Sequence, residues 1–251
     1  MRLVKASYKI LPHLDYFSML RLICEATAVC YASEIPKTQK EQERHITARI
    51  SAGHESVIEH VGFSVKFTVD RGITHELVRH RVASFTQSST RFQNYASGKF
   101  AYHVPVVMPP FVSALIPEGE WNMIGTSEDT KIFIMQRADN PADLVEISHL
   151  PGDVSAWLLS MFTVGEFYKE FLAGEQVETG SELAQPEMAR GILPNATAAE
   201  IVMTANMREW RHIFRLRALG TTGRPHPQMQ EVMIPLLQEV KTRFPVFFAD
   251  L

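Results

Sequence analysis

Apolar residues recur along the chain in two rhythms. Phe63, Val65, Phe67 and Val69 alternate with Ser64, Lys66 and Thr68, the period-two pattern of a strand with one buried face. Residues 2–11, 102–107 and 197–206 predict further strands. Helical spacing governs elsewhere. His13 to Ala32 predicts an apolar helix, Thr38 to Ala52 a charged, solvent-facing helix closed by Gly53, and Ile73 to Ala83 a short helix before a Ser/Thr-rich loop at 86–91. Asp153 is the expected N-cap of a helix reaching Leu172, followed by a short helix over Pro186–Arg190. An amphipathic helix over Met207–Leu219 and a helix over Pro227–Phe244, kinked near Pro235, complete the pattern.

The rhythm breaks from Met108 to Pro151, where prolines at 109, 110, 117 and 141 and a polar patch over 118–131 predict an irregular insertion. Strands and helices interleave without the βαβ cadence or the GxGxxG turn of a Rossmann fold. The expected architecture is therefore a single α+β domain over 1–251, a mainly antiparallel sheet flanked by helices.

Composition narrows the function classes. With 251 residues and 45% hydrophobic content the chain can bury a sizeable core, but its formal charge of −3 provides no global positive field for nucleic acid or an anionic membrane. The most apolar stretches, 104–117 and 154–165, are too short or too Pro-broken to span a bilayer, so a cytoplasmic protein with neither membrane nor nucleic-acid partner is expected. Cys24 and Cys30 stand six residues apart in the first predicted helix. That spacing separates their Cα atoms by about 9 Å, beyond the roughly 7 Å limit for a disulfide. No cationic neighbour depresses either thiol, and both are expected to be reduced, buried packing residues rather than nucleophiles.

Candidate chemistry concentrates in the thirteen residues Arg79 to Arg91, RHRVASFTQSSTR. Arginine forks and hydroxyls so close together suit an anionic, hydrogen-bonding ligand such as a nucleotide or phosphate. At about 100° per residue on a helix, Arg79, His80 and Arg81 would point three ways and divide between ligands or subunits. The Met207–Leu219 helix offers a second candidate. With Arg208 at zero, Trp210, Ile213 and Phe214 fall near 200°, 140° and 240° and Arg217 near 180°, while Arg208, Arg211, His212 and Arg215 lie on the polar side. A guanidinium amid apolar groups needs a carboxylate or a bound anion, so the pattern leaves Arg217 open between a structural ion pair and a ligand role. His54 and His60 are six apart rather than the four of helical zinc motifs, and no metal is expected there.

The ordered pattern RHRxxSxxQxSxR resembles the signature of the flavin-dependent thymidylate synthases. Similar elements follow in order: Gly53 to His60, the run Ala189-Arg190-Gly191-Ile192-Leu193-Pro194, and Asn206-x-Arg208. The resemblance covers about Gly53–Tyr95 and Pro186–Gln230. It implies reductive methylation of dUMP to dTMP, with methylenetetrahydrofolate as carbon donor and FAD, reduced by NADPH, as hydride carrier. Sites between the subunits of a homotetramer are also implied. Carried over residue by residue, it implies flavin contacts at His54, Ser56, Arg79, His80, Arg81, Gln87, Asn206, Arg208 and His212. It further implies dUMP contacts at Glu76, Arg79, Gln87, Ser88, Ser89, Arg91 and Arg190, with Arg217 as the catalytic residue that binds and activates the uracil ring. Thr86 stands where the family usually shows Asn, Ser or a similar residue and Gln87 where it shows Glu or Gln, while His226 and Gln228 lie farther beyond Arg217 than the family's Arg-x-x-x-x-His-x-Gln. Two other classes stay open: a nucleic-acid module using the arginine-rich helix, which the net charge opposes, and a metal-dependent phosphohydrolase using the ten histidines, whose spacings match no recognised ligand set.

Overall fold

A computed structural model describes residues 1–125, 133–173 and 184–251. In chain order the elements are β1 (Arg2–Val4), β2 (Ser7–Ile10), α1 (Tyr16–Tyr31), α2 (Gln39–Ser51), β3 (Gly62–Asp70), α3 (Arg71–Leu77), β4 (Ala83–Gln87), β5 (Pro105–Val107) and α4 (Pro110–Ser113). There follow β6 (Trp121–Gly125), β7 (Phe133–Arg137), β8 (Leu144–Glu146), α5 (Gly152–Ala173), α6 (Ala184–Ala189), β9 (Ala198–Asn206), α7 (Met207–Arg217), α8 (Pro227–Arg243) and α9 (Pro245–Phe248). The fold is α+β, as the interleaved periodicities predict, with helices flanking two sheets where a single sheet was expected. Among the described residues no helix is long and apolar enough to cross a membrane.

The first compact unit comprises residues 1–6, 68–75 and 87–200. Its sheet has the order β5–β1–β6–β7–β8, parallel between β1 and β5 and antiparallel for the other pairs. Met123 stands opposite Met135 in the β6–β7 register, and both join Leu3, Trp121 and the inner face of α5, represented by Val154, Leu158 and Tyr168, in one core. The 108–151 stretch was expected to be irregular; it instead supplies α4 and the strands β6, β7 and β8. Those strands are only three to five residues long, too short for their alternation to emerge among prolines and turn residues. Residues 126–132, which include the end of the polar patch, lie outside the described residues.

The second unit comprises residues 7–67, 76–86 and 201–251. It holds β2 and the larger parts of β3, β9 and β4, neighbours in that order. Burial alternates along β3, so Phe63, Val65 and Phe67 face the core as the period-two pattern requires. A Cβ on Gly62 would lie 2.3 Å from the carbonyl oxygen of Ala205, so only glycine permits this approach of β3 to β9. The expected first strand divides into β1 and β2, between which the chain passes from one unit to the other.

Three expectations change in this unit. α2 carries the capping box between Thr38 and Glu41, yet it is not wholly solvent-facing: Gln42, Ile46 and Ile50 are buried along one stripe. Cys24 is buried but Cys30 is exposed, because six residues rotate a helix by about 240° and carry the second thiol off the core face. Finally, α3 ends at Leu77, so Arg79, His80 and Arg81 stand in a turn rather than on a helix. The N–H groups of Arg79 and His80 donate to the carbonyls of Glu76 and Leu77 at 3.3 and 3.1 Å, a tight three-residue closure that stops the helix. β4 then takes Thr86 and Gln87, which the loop expectation had included.

Candidate active site

In the second unit the arginine-rich helix α7 is seated by aromatic packing. Trp210 is fully buried, stacks on Phe63 at 4.7 Å and on Phe214 at 5.6 Å, and donates Nε1–H to the Phe63 carbonyl. Each such ring contributes about 1.5–3 kcal/mol by burial, and the indole bond fixes the helix's rotation against β3. Asn206 caps α7 by accepting from the Glu209 N–H at 2.9 Å, and Met207 N–H donates to the Val61 carbonyl. The chain before Val61 is aimed by Gly53. At φ 80° it allows His54 N–H and Gly53 N–H to reach the Arg49 and Ile50 carbonyls, the paired bonds of a Schellman cap. A short 3-10 turn, Glu55–His60, follows and presents Glu55 and Glu59 to α7.

Every arginine of α7 is thereby ion-paired. Arg208 meets Glu59 at 2.5 Å and Arg215 meets Glu55 at 3.3 Å. Arg211, expected on the polar side, is 1% exposed. It forks onto both Asp250 oxygens at 2.6 Å, reaches Glu55 at 3.1 Å and donates to the Phe247 carbonyl. Its wheel position flanks Phe214, and the C-terminal turn covers that flank; the hydrogen bonds hold the Asp250 carboxyl below its ordinary range. Arg217 lies at the other end of the helix, 22% exposed. Its Nη1 donates to Glu76 Oε2 at 2.7 Å, its Nη2 to the Glu76 carbonyl at 3.3 Å and its Nε to His80 Nε2 at 3.1 Å. A guanidinium carries five N–H donors, so two remain for a ligand. The ion-pair reading of Arg217 is thus met, and it leaves the ligand role available.

His80 is 5% exposed, and burial followed by the charge of Arg217 pushes its pKa down to about 4. The neutral ring accepts from Arg217 at Nε2, so its proton sits on Nδ1, 3.5 Å from Glu209 Oε1. His80, Glu209 and His212 offer ligand atoms within 4.8 Å of one another, the one metal-like cluster among the described residues. The tautomer puts a proton, not a lone pair, on the side of His80 that faces Glu209. Beside this cluster opens a cavity of about 400 Å³ lined by Glu55, Glu59, Val82, Asn206, Arg208, Glu209, His212 and Arg215. Three expected flavin contacts, Asn206, Arg208 and His212, share this wall. His54 and Ser56 are exposed on the preceding segment and do not line it; Arg79 and Arg81 are exposed on the turn.

In the first unit, Gln87 donates to Thr74 Oγ1 at 3.1 Å, and Ser88 exchanges bonds with Glu200 through its N–H and hydroxyl. Ser89 Oγ accepts from Arg91 N–H at 3.3 Å. Arg91 itself is matched to Glu187 through two atoms, Nε at 2.9 Å and Nη2 at 3.0 Å. Arg190 is exposed and lines a separate cavity. Sequence reasoning weighed Glu55 and Glu59 only as neighbours of His54 and His60 in a possible metal motif, and passed over Glu209. The i,i+3 relation of Glu209 to His212 was the available signal.

Comparison with known proteins agrees with the motif order. Residues 14–246 match the family model described as thymidylate synthase complementing protein, Thy1. The chain is 31% identical over 205 residues to the flavin-dependent thymidylate synthase of Nitratidesulfovibrio vulgaris, covering 80% of this chain and 66% of that protein, just under two thirds of its length. It is 28% identical over 238 residues to the flavin-dependent thymidylate synthase of Mycobacterium tuberculosis, covering 90% and 76%. Among solved structures, the UMP/dUMP methylase PolB from Streptomyces cacaoi, bound with 5-Br dUMP, superposes with a TM-score of 0.66 over 99% of this chain and 96% of that one, a likeness of fold at 18% identity.

Proposed function

The chain belongs to the thymidylate synthase complementing protein family, and from that premise we propose that it methylates dUMP to dTMP. Methylenetetrahydrofolate is the carbon donor and NADPH the reductant in this reading. The single observation that carries it is the Arg217–His80–Glu76 cluster, in which a half-buried guanidinium is held rigid with two donors to spare. Uracil becomes nucleophilic at C5 when negative charge on its N3/O2/O4 edge is stabilised. A preorganised, partly desolvated arginine performs that task without a cysteine adding at C6. Burial raises the Cys24 thiol to about 11, which removes it as a nucleophile at neutral pH.

The cavity beside α7 fits part of a flavin by the chemistry of its donors. Arg208, Arg215, Asn206 and His212 present N–H groups to carbonyl or phosphate acceptors, and Glu55 and Glu59 are already neutralised by arginine. Those residues would hold FAD, which would supply hydride-transfer chemistry when bound. The protein's own residues bind and orient: Arg208 exchanges its exposed partner Glu59 for the cofactor, and His80 keeps Arg217 aimed. Arg79, Arg81, Gln87, His54 and Ser56 complete the flavin contacts, and Ser88, Ser89, Arg91 and Arg190 those of dUMP. In the same reading the working unit is a homotetramer.

The visible absorption spectrum of the purified protein tests the proposal. Bound flavin, or stoichiometric uptake of added FAD, is expected. Folded, tetrameric protein that stays colourless in FAD titration overturns it.

A further inference from the structure

Glu209 is the one carboxylate around α7 that the arginine pairing leaves without a cation. Glu55 and Glu59 are taken by Arg208, Arg211 and Arg215, and Glu76 by Arg217. Among the described residues Glu209 meets no lysine or arginine; its side chain is 11% exposed, and its partner is His80, whose side chain is 4% exposed. A carboxylate so far out of water needs a proton donor and a favourable field. The helix supplies the field. Glu209 stands in the first turn of α7, where Asn206 already holds its N–H and the N-terminal dipole favours negative charge. His80 supplies the donor. Its Nε2 accepts from Arg217 Nε at 3.1 Å, which leaves the ring proton on Nδ1, 3.5 Å from Glu209 Oε1. That distance is long for a hydrogen bond, but an anionic oxygen there favours the Nδ1–H tautomer through its field, and water screens little at a site this buried.

We propose that Glu209 is a positioning residue for Arg217, acting through His80. The imidazole tautomer is set from both ends of the chain Glu209–His80–Arg217. With the proton on Nδ1, His80 and Glu76 hold the guanidinium at three of its nitrogens, and its two free donors keep one direction. With the proton on Nε2, two N–H groups would face each other across 3.1 Å, and Arg217 would turn away toward Glu76 alone. The metal-like spacing of His80, Glu209 and His212 then needs no ion, since His80 offers Glu209 a proton where a metal requires its lone pair. The role assigned to Glu209 rests on the reading of Arg217 as the residue that activates uracil. The tautomer belongs to the protein alone, so the two can fail separately.

Ring ¹³C and ¹⁵N shifts of histidine-labelled protein report the tautomer, with His80 assigned by the signals missing in His80→Gln. At neutral pH the wild type should show Nδ1–H. Glu209→Met and Glu209→Ala both remove the acceptor, the first at similar side-chain length, so one folded variant suffices. Either should populate Nε2–H, whereas Glu209→Gln, which retains an acceptor oxygen, should stay nearer to wild type. Steady-state kinetics give the second readout. Glu209→Met should lower kcat/KM for dUMP about 10-fold, the lower end of the loss seen when the partner that orients a metal-bound histidine is removed, with FAD affinity unchanged. In the His80→Gln background the same substitution should cost nothing further, because the link is already broken. If wild-type protein makes no dTMP, the tautomer shift still supports the link from Glu209 to His80 and the dUMP reading alone fails. An unchanged His80 tautomer in the folded variant, the same kinetic loss on top of His80→Gln, or a loss confined to FAD affinity overturns the proposal.

Discussion

α7 and the cavity at Arg71 treat arginine in opposite ways. On the helix Arg208, Arg211, Arg215 and Arg217 are each matched to a carboxylate, and two of those carboxylates come from one short 3-10 turn. At the cavity Arg71 and Arg190 face an opening without an acid. A paired guanidinium is oriented in advance, so it suits a role that depends on direction. An unpaired one retains its full charge for an anion and suits affinity. Within α7 the same contrast recurs on a smaller scale. Arg211 uses its donors on Asp250, Glu55 and Phe247, whereas Arg217 keeps two in reserve.

The sharpest way to break that contrast is to remove Arg211. Arg211→Leu leaves Glu55 and Asp250 facing a buried apolar side chain, and a loss of on the order of 3–4 kcal/mol is expected in urea unfolding, the lower part of the range for a broken buried pair because Asp250 keeps access to water. A loss below 1 kcal/mol would remove its structural role.

Arg217→Lys should leave fold and flavin affinity intact but reduce transition-state stabilisation by about 2–4 kcal/mol, since Lys keeps the charge and loses the fork. Arg208→Lys should chiefly weaken FAD. Near-normal dUMP kinetics in Arg217→Lys would make this arginine an ion-pair partner and nothing more.

The smallest effect concerns pH. His80 is held neutral at a folded value of about 4, below its ordinary 6.5. The stability this contributes is complete above 6.5 and is lost as pH falls toward and through 4. His103 in the first unit is likewise pushed to about 4 by burial, so the whole protein should weaken over this window. His80→Gln keeps an acceptor for Arg217 and removes the titration, so its urea midpoint should fall less steeply than wild type between pH 7 and 4.5. Parallel slopes would show that protonating His80 costs the fold nothing.

Much of this arrangement was legible in the residues, and the limits are physical. The alternation at Phe63–Val69 fixed β3 and its buried face, and Gly53 marked the turn that aims Glu55 and Glu59. The helical wheel singled out Arg217 correctly as an arginine needing a partner, but it misplaced Arg211. The wheel sees one helix, and Arg211's burial is made by Asp250, 39 positions away. The RHR turn failed as a helix because the stop is a backbone closure with no glycine or proline to announce it. Arg71 escaped notice because what distinguishes it is the absence of an acid among the residues that line its cavity, Thr90, Arg190, Gly191, Leu193 and Asn195, a property of three-dimensional surroundings.

Product analysis tests the central claim most directly. Wild-type protein and the Cys24→Ala/Cys30→Ala double variant are incubated with dUMP, methylenetetrahydrofolate, NADPH and FAD. Both should form dTMP, the double variant at a rate reduced only by its core destabilisation, and omission of FAD should abolish the product from each. No dTMP from folded, flavin-loaded wild-type protein would contradict the proposed function, and dTMP lost only in a folded, flavin-bound double variant would contradict activation by arginine without a thiol.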